Sequence, residues 1–146
     1  MKLGILKWGA PAAVLLAGLN GTLALAETSD KSGVSIELST AEVVGDACRL
    51  SFVVQNGHGQ DIVSSVYETV LFNTAGQVAK LTLLDFQDLP AGRLRVRQFQ
   101  FSGLACSDIS RVLINGADTC EGEGLPQGAC DKGLTLSSLT DMELIG

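Results

Sequence analysis

Short runs of β-prone residues, separated by turn signals, occupy the sequence from Val34 onward. Residues 34–38 alternate apolar and polar side chains, which is the period expected of a strand with one buried face. Comparable runs recur at close spacing, with glycine, asparagine or proline between them and no stretch of convincing helical periodicity. Because a parallel sheet would require helical crossovers, this pattern predicts an all-β fold, an antiparallel β-sandwich.

Seven runs qualify as strand candidates. They cover residues 34–44, 48–54, 62–72, 78–84, 93–101, 110–115 and 134–144. In the fifth run the apolar residues change parity between Val96 and Phe99. We therefore expect a β-bulge near Arg97 and Gln98 that keeps both parities in the core.

The first 26 residues carry the pattern of a secretory signal. Lys2 and Lys7 form a short cationic start, an apolar run follows over residues 8–19, and Ala24-Leu25-Ala26 supplies a small-x-small cleavage pattern. The apolar run is shorter than the ~20 residues that a membrane-spanning helix needs. We therefore expect cleavage after Ala26 and a periplasmic or secreted protein, with no membrane insertion after cleavage.

Cleavage would leave a flexible mature N-terminus over residues 27–33 and one β-sandwich domain over residues 34–146. A chain of that length can bury one modest core. The sequence has 16 acidic and 10 basic residues, and two of the basic ones belong to the leader. Such an acidic surface repels phosphate backbones, which argues against nucleic acid as a partner.

Four cysteines in an exported chain predict two disulfides. Four cysteines allow three pairings, but strands that run alternately up and down bring Cys106 to the same end as Cys48. The same count puts Cys120 and Cys130 near the opposite end, so we expect Cys48–Cys106 and Cys120–Cys130 bridges. No Cys-x-x-Cys pair occurs, and only His58 could complete a mixed nitrogen and sulfur site, so we expect no metal and no cofactor.

Arg93, Arg95 and Arg97 alternate along the fifth run, so a regular pleat would place their guanidinium groups on one face. Such a ladder could bind a carboxylate or a phosphate bidentately, which makes these arginines the candidate partner-binding residues. The alternative is cross-strand pairing with acidic neighbours such as Glu37 or Glu68.

Three other groups of polar residues are weaker candidates for a functional site. His58, the only histidine, lies in a glycine-rich turn, and no catalytic motif accompanies it, so we assign no catalytic residue. A hydrolase with a convergent site at His58 is one alternative. Residues 118–124 gather three carboxylates in a predicted loop, so calcium or small-ligand binding is another. Asp85 and Asp88 are expected to cap the turn before Pro90.

The turn chemistry between residues 53 and 101 resembles a known family. Val54-Gln55-Asn56, Asp61-Ile62, Val66, the turn at residues 72–78 and the turn at residues 89–92 are similar to small bacterial extracytoplasmic immunoglobulin-like domains of the FxLYD kind. The resemblance covers less than half of the chain after the leader, and the four cysteines and residues 116–133 depart from it. It implies an immunoglobulin-like, non-enzymatic sandwich in the bacterial envelope and carries over no functional residue.

These features together predict a non-enzymatic interaction or structural module of the bacterial envelope. A protein is the expected partner. Exposed strand edges and the loops at the two ends of the sandwich are the expected contact surfaces.

Overall fold

The computed structural model describes residues 32–146 together with Gly4 and Gly9. The predicted leader, apart from those two glycines, and residues 27–31 of the predicted flexible N-terminus therefore lie outside the described residues. Within the described part of the chain, no helix is long and apolar enough to cross a membrane.

Eight strands follow one another along the described chain. They are β1 (Val34–Val44), β2 (Ala47–Asn56), β3 (Ile62–Asn73), β4 (Val78–Leu89), β5 (Leu94–Ser102), β6 (Ile109–Glu121), β7 (Thr135–Ser138) and β8 (Glu143–Ile145). A 3-10 turn at Cys106–Asp108 lies between β5 and β6.

The strands form two four-stranded sheets that pack face to face. Sheet A has the order β5-β2-β1-β7, and sheet B has the order β4-β3-β6-β8. The predicted all-β, immunoglobulin-like sandwich with two disulfides is confirmed.

The strand count and two pairing directions differ from the prediction of seven antiparallel strands. The run at residues 134–144 is two strands, because the chain turns after Ser138 and leaves sheet A for sheet B. Thr140 supports this turn: its N–H donates to Ser138 Oγ, and its hydroxyl accepts from the Met142 N–H, each at 3.1 Å. β7 then pairs parallel with β1, and β8 pairs parallel with β6.

The core lies between the two sheets around a cluster of aromatic rings. Phe86 of β4 has ring centroids of Phe52, Tyr67 and Phe99 at 5.7, 5.5 and 5.2 Å. These pairs are tilted or edge-to-face, which the quadrupoles of aromatic rings favour. The cluster therefore ties β4 and β3 of sheet B to β2 and β5 of sheet A.

β5 pairs with β2 in continuous register from Leu94 to Ser102, so the β-bulge predicted near Arg97 and Gln98 does not form in this pair. Leu94 and Val96 point outward instead and are 62% and 60% exposed. The prediction was wrong because it required every apolar residue of the strand to be buried. Some exposed apolar side chains are ordinary on a protein surface.

Both predicted disulfide pairings are confirmed. Cys48 of β2 bonds to Cys106 in the 3-10 turn, with Cα atoms 4.8 Å apart. Cys120 of β6 bonds to Cys130 in the segment that follows, with Cα atoms 6.0 Å apart. The alternation of strand direction was sufficient to choose among the three pairings.

Candidate interaction surfaces

Two of the three predicted arginines lie at the open side of the sandwich, where β5 faces β4. Arg97 Nε donates to the Phe86 carbonyl at 2.6 Å. Its Nη2 donates to the Asp88 carbonyl at 2.8 Å and to the Asp88 carboxylate at 3.2 Å. Arg95 forms a longer ion pair with Asp88, at 3.4 Å. We call Arg95, Arg97 and Asp88 the β4–β5 clasp, because their contacts join the edges of the two sheets.

The clasp has a different acidic partner from the ones expected. The carboxylate that pairs with these arginines is Asp88 rather than Glu37 or Glu68. The side chains of Arg95 and Arg97 lie on the less exposed face of β5 and reach across the gap between the sheets. Arg97 consequently exposes 15% of its side chain. Arg93 lies just before β5 and is exposed. Partner binding by the three arginines stays a prediction.

The turn that begins at Pro90 is supported by Asp61, whose Oδ1 accepts a hydrogen bond from the Ala91 N–H at 2.8 Å. Of the two aspartates expected to cap this turn, Asp88 instead pairs with the arginine side chains of the clasp, and Asp85 Oδ1 accepts from the Gln87 N–H, earlier in β4, at 2.8 Å. Gln87 has a φ of 61° and lies where the β3–β4 register shifts. The Asp85 carboxylate thus supports a β-bulge.

The acidic segment predicted as a loop is partly strand. Asp118 and Glu121 belong to β6, and Glu123 lies in the turn that follows. Asp118 is left unpaired at a register shift between Ala117 and Thr119, whereas Glu121 pairs with Ser64 at the end of the strand. The three carboxylates therefore lie in three different local structures. Among residues 32–146, no three His, Cys, Asp or Glu side chains are grouped as a metal site would require.

The segment between β6 and β7 is fastened to the core by three hydrogen bonds besides its disulfide. The Tyr67 hydroxyl donates to the Cys130 carbonyl at 2.9 Å, and a His58 ring nitrogen lies 2.7 Å from the Ala129 carbonyl. Asp131 Oδ1 accepts from the Ala117 N–H at 2.8 Å. The hydrolase alternative requires a serine or carboxylate at the His58 ring, whereas the contact found there is a backbone carbonyl.

Tyr67 provides a pH-dependent test of this segment. Burial, together with the Asp131 carboxylate, raises the pKa of Tyr67 above its ordinary value of 10.0. Because the folded state holds the hydroxyl proton more tightly than the unfolded state, the protonated Tyr67 side chain contributes to the free energy of unfolding. This contribution is complete below about pH 10 and is lost as the pH rises further. We expect the free energy of unfolding to fall more steeply above pH 10 in the wild type than in Tyr67→Phe. Denaturant unfolding between pH 8 and 11 measures this.

Tyr67 is the only tyrosine, so ultraviolet absorbance of tyrosinate reports its ionisation directly. Tyr67→Phe should start about 1–3 kcal/mol less stable at neutral pH, because the buried Cys130 carbonyl loses its donor. Parallel pH profiles of the two proteins, or a free tyrosine titration curve in the folded protein, would contradict this account.

An apolar patch crosses the outer face of sheet B. The strand registers align one residue from each strand in a single row, in the order Leu81, Val70, Leu113 and Ile145. A second row begins with Val78 beside Phe72, and Leu83 continues the patch along β4. We call this set the outer apolar patch: Val70, Phe72, Val78, Leu81, Leu83, Leu113 and Ile145.

The patch is most open along β4. Val78, Leu81 and Leu83 are 61%, 60% and 51% exposed. The buried residues Thr69 and Leu71 lie on the inner face of β3, so Val70 between them points away from sheet A. Val70 is nevertheless only 5% exposed. The side chains of the patch therefore pack against one another on the surface. Contiguous apolar patches of this kind on soluble proteins mark interaction sites.

Polar contacts border the patch on two flanks. The Arg111 guanidinium lies 5.3 Å from the centroid of the Phe72 ring, and its Nε is 3.6 Å from Glu143 Oε2. On the other flank, Asn115 donates a hydrogen bond to the Glu68 carboxylate. An apolar centre with a polar rim is the usual organisation of a protein interface.

The sequence pattern predicts the strand at residues 78–84, but the exposed apolar face of that strand was not predicted. A signal was present: Leu81 and Leu83 have one parity, and Leu84 and Phe86 have the other. A strand with apolar residues on both parities has two apolar faces, and only one can face a two-layer core. Which residues align with them on β3, β6 and β8 depends on registers that contain several bulges.

No protein-family model matches this chain, and no curated protein matches it. Among solved structures, it resembles IrmA from Escherichia coli with a TM-score of 0.56 and 16% sequence identity, over 71% of this chain and 90% of that chain. At this identity the likeness concerns the fold alone. The predicted resemblance to FxLYD-like domains is thus supported only as a β-rich sandwich fold.

Proposed function

We propose that this protein is a non-enzymatic, exported module, periplasmic or secreted, that binds a protein partner through the outer apolar patch. The observation that carries this proposal is the row of aligned apolar side chains across all four strands of sheet B, which ends at the edge strand β4. The two disulfides are consistent with an extracytoplasmic location.

Energetics favour a protein as the partner of such a surface. Removing apolar area from water contributes about 25 cal/mol per Å² to the free energy of binding. Most of the area that a partner could cover belongs to the exposed side chains of β4. The formal net charge of −6 opposes anionic surfaces such as nucleic acids. The arginines supply no strong competing surface, because Arg95 and Arg97 are engaged in the clasp.

Site-specific cross-linking tests the proposal. A photoreactive residue placed at Leu81 should give a discrete adduct with a partner in the native envelope. Leu94 is the matched control, since it is also an exposed leucine on a strand but lies on sheet A. With the photoreactive residue at Leu83, the further substitution Leu81→Lys should lower the adduct yield by about tenfold, the scale of losing one anchor residue of an interface.

Two results would refute the proposal. One is the same adduct pattern from position 94 as from position 81. The other is an adduct yield at position 83 that Leu81→Lys does not change while the variant melts at the wild-type temperature.

A further inference from the structure

The first part of β4, from Val78 to Asp85, is an unpaired strand edge; we call it the upper half of β4. Among residues 32–146, β4 pairs with β3 on one side, and sheet B has no strand beyond it. At its lower end, Arg97 occupies the carbonyls of Phe86 and Asp88. The free edge therefore extends from Val78 to Asp85. A free edge with exposed apolar side chains is a template for pairing with another strand.

Two charges of opposite sign lie on opposite faces of this edge. Asp85 is on the outer face with Leu81 and Leu83, because its register partner Val66 has the same parity as Val70. Lys80 is on the other face, paired with the buried Leu71. Both charged residues are exposed.

We propose that the free edge binds an extended segment of another protein by antiparallel strand addition, and that the segment has the pattern basic-x-apolar-x-apolar-acidic. Residues directly opposite one another in an antiparallel pair point to the same face. The basic residue then lies opposite Asp85, the two apolar residues lie opposite Leu83 and Leu81, and the acidic residue lies opposite Lys80. This inference rests on the proposed function and specifies the partner of the same surface.

A second copy of this chain does not fit the edge. Lys80 is the only basic residue of β4 and lies on the face opposite to Asp85. Because antiparallel pairing matches like faces, no register of β4 with itself can put Lys80 against Asp85. Association of two copies would also bring together two acidic chains, whose formal net charge is −6 even with the two lysines of the leader included.

Two peptides of identical composition test the inference. One has the order Lys-Thr-Val-Thr-Val-Glu, the other exchanges the two charged residues, and both have blocked ends and flanking glycines. Titrated into isotope-labelled protein, the first should shift the backbone amide resonances from residues 78 to 85 and bind about fivefold more tightly than the second. That ratio is the scale of two solvent-exposed ion pairs.

The double variant Lys80→Gln, Asp85→Asn removes both charges, while the amide that replaces the Asp85 carboxylate keeps an oxygen acceptor for the Gln87 N–H. In this variant the two peptides should bind equally, and an unchanged melting temperature would show that the fold is intact. Equal affinities for the wild type, binding outside β4, or failure of both peptides at millimolar concentration would overturn the inference.

The outcomes separate this inference from the proposed function. If neither peptide binds but cross-linking from Leu81 still captures a partner, the outer apolar patch is an interface and strand addition is wrong. If neither peptide binds and sedimentation shows a dimer that Leu81→Lys dissociates, the occupant is a second copy.

Discussion

Replacing Cys48 and Cys106 with alanine is expected to lower the free energy of unfolding by about 4 kcal/mol. The bridge closes a loop over a sequence separation of 58, and it restricts the unfolded chain more than a short loop does. Both sheets depend on this closure, since it ties β2 to the segment that carries the chain from β5 in sheet A to β6 in sheet B. Urea unfolding of the wild type and the double alanine variant measures the difference.

The second disulfide is the matched control for this prediction. Cys120 and Cys130 are separated by 10 positions, so their replacement should cost about 3 kcal/mol by the same chain-entropy argument. A larger loss from the shorter bridge would show that native contacts of the segment after β6, rather than the unfolded chain, determine what each disulfide contributes.

Phe86→Ala is expected to lower the free energy of unfolding by about 3–5 kcal/mol. The side chain is fully buried, and its ring lies within 6 Å of three other rings that belong to three different strands. Deleting the ring removes its transfer free energy and leaves a cavity that a two-layer core cannot close fully. Denaturant unfolding measures the loss, and an increase in unfolding rate would accompany it.

Leu94→Ala serves as the control for this core substitution. Leu94 lies on the outer face of sheet A and is mostly exposed, so its truncation should change stability by no more than about 0.5 kcal/mol. A cost below about 1 kcal/mol for Phe86→Ala would mean that the aromatic cluster does not hold the two sheets together.

The two halves of β4 have different roles in this fold. Its lower half contributes Phe86 to the core and receives the Arg97 guanidinium on the carbonyls of Phe86 and Asp88. The upper half contributes Leu81 and Leu83 to the surface. Stability and binding therefore depend on adjacent but separate residues, so substitutions at Leu81 can test binding without unfolding the protein.

Local sequence patterns determined the class of fold. Period-two alternation and closely spaced turns established strands, and the alternation of strand direction was sufficient to pair Cys48 with Cys106 and Cys120 with Cys130. These features follow from side-chain periodicity and chain connectivity, both of which act over a few residues or one strand at a time. The same periodicity predicted a bulge in β5 that does not form, because the pattern could not tell which apolar residues remain in solvent.

Only the tertiary structure decided which surfaces are available for binding. The arginine ladder was visible in the sequence, but its carboxylate, Asp88, lies on an edge of the other sheet. The row from Leu81 to Ile145 likewise combines four strands, of which β8 comes from the end of the chain and joins by a parallel pairing. The alternation of apolar and polar residues specifies which side chains share a face of one strand. Which side chains of neighbouring strands lie side by side depends on the registers between those strands. Those registers contain bulges and long-range pairings that are set by packing of the whole core.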